Sequence, residues 1–193
     1  MKKYLIILTI LLFSCDLLTT RNPEKPDTQR TSYLPATTPD ILFMNLKNSL
    51  KEKILDNYLS CFVNSSFSNQ KFVFQSASES ISLYPTLANW DLSSEQQYFS
   101  NLIISTKEGV PIILDLQNEI KNTTGDSAVY QYDYIISLTP INESIQSSYR
   151  GNMKININLD SRSQWVISRW EDFKSGNNPT WSELKGSLYW NEV

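Results

Sequence analysis

Val129-Tyr130-Gln131-Tyr132-Asp133-Tyr134-Ile135-Ile136-Ser137-Leu138 puts large apolar or aromatic side chains at every second position. Tyr130, Tyr132, Tyr134, Ile136 and Leu138 share one parity. Val129, Gln131, Asp133, Ile135 and Ser137 take the other. A period of two marks a β-strand with one face buried. Outward from this run the pattern repeats. Val110, Ile112, Leu114 and Leu116 alternate with Pro111, Ile113, Asp115 and Gln117. Met153, Ile155, Ile157 and Leu159 alternate with Lys154, Asn156, Asn158 and Asp160. Trp165 and Ile167 oppose Val166 and Trp170, which predicts that Trp165 and Trp170 sit on opposite faces. These are four strands. Asn122 to Asp126 reads as a turn, with Gly125 tolerating positive φ. Asp160 to Ser163 closes a hairpin.

Upstream the period is helical. Leu42, Leu46, Leu50, Ile54, Tyr58 and Phe62 recur every four residues, flanked by Phe43, Leu55 and Leu59. Thr38 caps this helix, Pro39 suits its first position and Asp40 suits its positive end. The spacing predicts one amphipathic helix from Pro39 to about Val63. Lys71 to Gln75 reads as a short strand or extended segment, and Ser76 to Pro85 as a short helix or a loop. A second helix follows Trp90. Ser93 or Ser94 caps it, Glu95 and Gln96 lie in its first turn, and Tyr98, Phe99, Leu102 and Ile103 form its apolar side. Helices followed by an antiparallel meander give an α+β domain. A long N-terminal helix and a shorter one pack into a strongly curved antiparallel sheet of about four strands, forming a cone open at one end.

The N-terminus reads as an address. Lys2 and Lys3 precede a short apolar run, Tyr4 to Phe13, and Ser14-Cys15 follows at once. This is a secretory signal, too short for a bilayer span of about 20 residues. Its end resembles a bacterial lipoprotein signal, which implies cleavage before Cys15 and lipid on the Cys15 sulfur. Residues 1–14 are then a signal peptide and 15–38 a flexible tether, with Pro23, Pro26 and Pro35 among polar residues. Residues 39–193 are one domain with a tryptophan-rich C-terminal tail. The location that follows is the cell envelope, lipid-anchored, facing the periplasm or the cell surface, with the leaflet left open.

Composition excludes several chemistries. The 193 residues contain no histidine, so His-based zinc and haem sites and Ser-His-Asp or Cys-His catalysis are absent. No metal site is expected. No glycine-rich phosphate loop occurs, and no cofactor is expected. The net charge is −3 and the pI about 5.0, which offers no field for nucleic acid. Lipidation of Cys15 would leave Cys61 alone, as a buried thiol in an apolar segment.

The order of elements resembles the nuclear transport factor 2-like (NTF2-like, SnoaL-like) superfamily over roughly residues 39–175. The run Gln164-Trp165-Val166-Ile167-Ser168-Arg169-Trp170-Glu171-Asp172, with Trp181-Ser182-Glu183-Leu184-Lys185-Gly186, is similar to the C-termini of bacterial lipoproteins with that fold. Phe72-Val73-Phe74 and Asn89-Trp90 resemble further segments of that group. The superfamily holds dehydratases, isomerases, epoxide hydrolases and non-catalytic binding domains. The resemblance implies that any active group lies inside the cone, and the missing histidine removes the His–Asp dehydratase pair.

Candidate residues follow from this frame. Asp133 is a pocket carboxylate if its face is concave, or a solvated position if the three tyrosines point inward. Asp115 carries the same alternatives, and Tyr132 is a candidate partner for a carboxylate. Arg169 either clamps an anionic ligand or ties to Glu171 or Asp172. Trp170 and Trp181 are candidates for ligand contact or for packing, and Trp181 reads as a plug against the cone. Trp165, Trp170, Trp181 and Trp190 cluster near the C-terminus; exposed tryptophans suit sugar rings, but Trp165 and Trp170 on opposite strand faces cannot form one flat platform. The function favoured is a membrane-tethered, non-enzymatic binding or interaction domain. Its partners would be membrane lipid through Cys15, and an envelope protein or a small amphipathic ligand. The alternatives are an isomerase or dehydratase using a carboxylate and tyrosines, and a glycan-binding module.

Overall fold

The computed structural model describes residues 32–189. The elements run α1 (Pro39–Glu52), α2 (Leu55–Leu59), β1 (Val73–Gln75), α3 (Ser78–Leu83), a 3-10 turn (Pro85–Asn89), α4 (Leu92–Ile104), β2 (Ile113–Thr124), β3 (Ser127–Ser137), β4 (Ser148–Leu159), β5 (Trp165–Lys174) and α5 (Trp181–Tyr189). One sheet has the order β1-β5-β4-β3-β2. Strands β2 to β5 are the antiparallel meander of the sequence reading. β1 adds a fifth strand, parallel to β5, with Phe74 opposite Trp170. Residues 61–63 also run beside β5, where Ile167 N–H donates to Cys61 O at 2.8 Å and Val63 N–H to Ile167 O at 3.0 Å. These segments cover the β5 edge, and β2 is the outer strand at the other side of the sheet.

The sheet curls around the helices. Tyr130, Tyr132, Tyr134 and Ile136 of β3 are buried, as are Met153, Ile155 and Ile157 of β4. α1 presents Leu42, Phe43, Leu46 and Leu50 to this surface. The Phe43 ring meets Tyr130 at 4.9 Å and Tyr132 at 5.1 Å between centroids. Thr38 caps α1 as expected, its hydroxyl accepting from Ile41 N–H at 3.3 Å.

Four details differ from the sequence reading. First, the single helix to Val63 is broken. Lys53 takes a left-handed conformation (φ 56°), and the chain restarts at Leu55. A four-residue repeat drifts by about 40° per step around a helix of 3.6 residues per turn. A straight helix would thus carry Tyr58 and Phe62 away from the face of Leu42 and Leu46. The break resets the phase, and Tyr58 and Phe62 are both buried. Second, Asp91, not Ser93 or Ser94, caps α4. Its carboxylate accepts from Ser94 N–H at 2.9 Å and from Ser93 Oγ at 2.8 Å. Third, residues 32–38, assigned to the tether, lie against the domain. Ala36 is buried, its carbonyl accepts from Trp165 N–H at 2.7 Å, and Asn45 bonds both the N–H and the carbonyl of Leu34.

Fourth, β5 contains a bulge. Ile157 pairs with Ile167 but Asn156 pairs with Arg169, so Ser168 is the extra residue. Trp165 lies opposite Leu159 and Trp170 opposite Ile155. Leu159 and Ile155 share a face of β4, so Trp165 and Trp170 share the inner face of β5. The bulge overturns the expectation of opposite faces.

Candidate functional site

The interior of the cone contains two linked polar clusters, both sealed by α5. α5 buries Trp181, Leu184, Lys185 and Leu188 completely, an i, i+3, i+4, i+7 stripe. Lys185 is therefore on the apolar face of its helix. Its ammonium sits 2.6 and 2.7 Å from the two carboxylate oxygens of Glu95, on α4, and both side chains are 0 % exposed. The same carboxylate accepts from Tyr58 Oη and from Trp90 Nε1 at 2.6 Å. Around Nζ stand the rings of Phe74 at 3.9 Å, Trp170 at 4.5 Å, Tyr98 at 5.5 Å, Trp90 at 5.8 Å and Trp181 at 5.9 Å. The faces of aromatic rings carry negative potential and attract a cation. Lys185 is thus held in a box made of one carboxylate and five rings. Burial pulls its pKa below the usual lysine value, and Glu95 opposes that shift.

The second cluster fixes the start of α5. Asp172, on β5, accepts from Tyr134 Oη at 2.7 Å and from Ser182 N–H at 2.7 Å, and also from the Ser182 hydroxyl. Tyr134 Oη accepts from Trp181 N–H at 2.7 Å, and Trp181 Nε1 donates to Tyr98 Oη at 2.8 Å. Burial raises the pKa of Asp172, and the bonds from Ser182 and Tyr134 offset part of that rise. Burial also raises the pKa of Tyr58, Tyr98 and Tyr134.

The expected site residues scatter. Asp133 lies on the face opposite Tyr132 and Tyr134. It is half-buried and bonded to the side-chain amides of Asn118 and Asn152. Its inward alternative is corrected: the tyrosines take the concave face, and strand alternation leaves Asp133 outside. Asp115 is exposed and bonded to Gln117, for the same reason. Tyr132 does face inward, near an open depression of about 460 Å3 lined also by Asp40, Lys47 and Glu119. Its hydroxyl donates to Glu119 at 2.7 Å. Burial and that carboxylate both raise its pKa. Arg169 bonds Glu171 at 2.9 Å and Gln75 at 2.6 Å, which is the tie rather than the clamp. Trp170 and Trp181 are fully buried and pack edge to face at 4.4 Å. They offer no sugar platform. Cys61 is buried and free, and burial raises its thiol pKa. Cys15 and Trp190 lie outside the described residues. Among the described residues no cluster of three metal-ligating side chains occurs.

Sequence reasoning missed Glu95 and Lys185 as a pair. The sequence places Glu95 only in the first turn of α4. The signal that could have found Lys185 is its place in the Trp181, Leu184, Leu188 spacing.

Comparison with solved structures settles the architecture. A protein from Salmonella enterica serovar Typhimurium, of the nuclear transport factor 2 (NTF2-like) superfamily, superposes with a TM-score of 0.51 at 11% identity, over 72% of this chain and 87% of its own. A candidate dehydratase of the NTF2-like family from Streptomyces avermitilis gives 0.53 at 8%, over 70% and 92%. The fold is NTF2-like. A candidate scytalone dehydratase from Novosphingobium aromaticivorans is similar to this NTF2-like domain at the same level, 0.53 at 10% identity, over 73% and 89%. No family model matches the sequence, and no curated protein does. At these identities the likeness concerns the fold, and function has to be argued from the residues.

Proposed function

We propose that the chain is a lipid-anchored protein of the bacterial envelope whose NTF2-like domain binds a partner or ligand and catalyses nothing. One observation carries the non-catalytic reading. The interior of the cone is filled by the chain's own Trp181 and Lys185, both 0 % exposed. A catalytic group has to reach the substrate's reacting atom. Asp172 and Tyr134 are the interior carboxylate and phenol closest to an isomerase arrangement, and both are spent on bonds to the start of α5. The outward Asp133 and Asp115 bond to neighbouring amides. The anchor reading rests on the Ser14-Cys15 signal.

Two measurements test this. Mass spectrometry of the protein expressed in bacteria with its leader should find an N-terminal Cys15 carrying acyl chains, and a Cys15→Ser variant should retain residues 1–14. An unlipidated Cys15 would refute the anchor. Hydrogen exchange of the Ser182–Tyr189 amides in the free protein should be as slow as that of β4. Exchange within seconds would mean an open interior and would revive the enzyme reading.

A further inference from the structure

The box around Glu95 has the composition of an ammonium receptor: a carboxylate fixed by Tyr58 and Trp90, with aromatic walls from Phe74, Trp90, Tyr98, Trp170 and Trp181. A fold needing only a sealed core would do better with apolar side chains. Replacement of a buried ion pair by packed hydrophobic residues is commonly neutral or stabilising. The box also leaves Trp170 Nε1 buried without a hydrogen-bond partner among the described residues. Buried polar groups are nearly always satisfied. Two departures from an optimal core at one place are what functional sites show.

The group inside the box belongs to the last described helix of the chain. α5 follows a turn with Gly176 at φ 64°. Its polar attachments gather at its first residues, through Asp172, Tyr134, the Ala77 N–H and Lys174, and the buried Trp181, Leu184 and Leu188 hold the rest of it. The far end adds the Asn101 amide to Leu188 O at 2.7 Å. The walls from Phe74, Trp90, Tyr98 and Trp170, and Glu95 itself, lie on other elements and remain when α5 moves.

We propose that this box is a binding site for small alkylammonium compounds, that Lys185 is its built-in occupant, and that an external ammonium exchanges with Lys185 by displacing α5. This inference rests on the binding-domain reading and names the ligand class for it.

The test uses the whole mature domain with its tail. Lys185→Ala deletes the atoms of a propylammonium group and empties the box. Calorimetric titration of this variant with n-propylammonium chloride should give saturable binding, at least tenfold tighter than that of n-propanol, a neutral probe of similar size. Glu95→Gln on top of Lys185→Ala should remove that preference. In the unaltered protein, tetramethylammonium should speed hydrogen exchange of the Ser182–Tyr189 amides at least tenfold, with β4 unchanged. If Lys185→Ala does not fold alone, recovery of cooperative unfolding by propylammonium but not by propanol gives the same support. Equal response to both probes, or no response, overturns the site. Unchanged exchange of α5 in the unaltered protein overturns the exchange step and leaves the pair structural only. The lipid on Cys15 is read separately, so failure here is distinguishable from failure of the anchor.

Discussion

The carboxylate of Asp172 on β5 accepts both the backbone N–H and the hydroxyl of Ser182, the second residue of α5. One buried acid thereby holds the C-terminal helix on the sheet, at the end of the helix whose dipole favours negative charge. Replacement by alanine leaves the Ser182 N–H and the Tyr134 hydroxyl without their acceptor. Asp172→Ala should cost about 3 kcal/mol, measured by urea unfolding.

Asp172 also gives stability a pH dependence. Its folded pKa is raised by burial, so the folded protein keeps this proton when the unfolded chain has lost it. The stabilising contribution is complete below about pH 3.9, the unfolded value, and is lost as pH rises through the folded value. Asp172→Asn does not titrate. Its deficit in Tm relative to the unaltered protein should therefore shrink as pH rises from 3.5 to 7, a range set about the unfolded value. A deficit that grows over this range would mean a lowered pKa.

Glu95 and Lys185 should behave as a unit. Glu95→Gln leaves a buried ammonium without its counter-charge and should cost about 3–5 kcal/mol. Lys185→Met in the same background removes that charge. The double variant should be more stable than Glu95→Gln alone, and a double-mutant cycle measures the coupling.

Gly186 has no room for a side chain. A Cβ built on it would stand 2.3 Å from Cγ of Tyr84. Gly186→Ala should cost about 1–3 kcal/mol through overpacking. Much of that cost should disappear in a Tyr84→Ala background, although Tyr84→Ala alone is destabilising.

The cap of α4 offers a cleaner comparison. Asp91→Ala should cost about 1 kcal/mol, since Asp91 accepts from Ser94 N–H. Ser93→Ala and Ser94→Ala should each cost less than about half of that. Thermal melts of the three variants decide which residue is the cap.

Much of this fold is written in local periodicity. The parity of Tyr130, Tyr132 and Tyr134 gives β3 its buried face, and Thr38-Pro39-Asp40 gives the start of α1. Both are effects of neighbours in sequence. The break at Lys53 is local too, but a four-residue repeat read as one stripe hides its drift against the helix turn. Asp91 does not stand out by type, because the two serines beyond it are equally good caps. The interior pair was illegible for a different reason. Glu95 and Lys185 are 90 residues apart, and each alone reads as a solvated charge. Only the tertiary fold puts both inside rings contributed by β1, β5, α4, α5 and the segment before α4. Asp133 misled in the opposite sense, since its tyrosine neighbours are interior while it is not.

The extra residue at Ser168 shifts the phase of β5. Upstream of it odd positions face the helices, and downstream even positions do. Ile167 and Arg169 already lie opposite the neighbours Ile157 and Asn156, so loss of Ser168 would leave Trp170 and Asp172 facing inward and remove only the local bend. If instead every residue were kept and paired in regular alternation, Trp170 and Asp172 would turn to water, and Arg169, Glu171 and Phe173 would turn toward the core. The bulge thus absorbs the single residue by which the two halves of this strand are out of phase, and a wall of the box and the anchor of α5 both depend on where that slack is taken up.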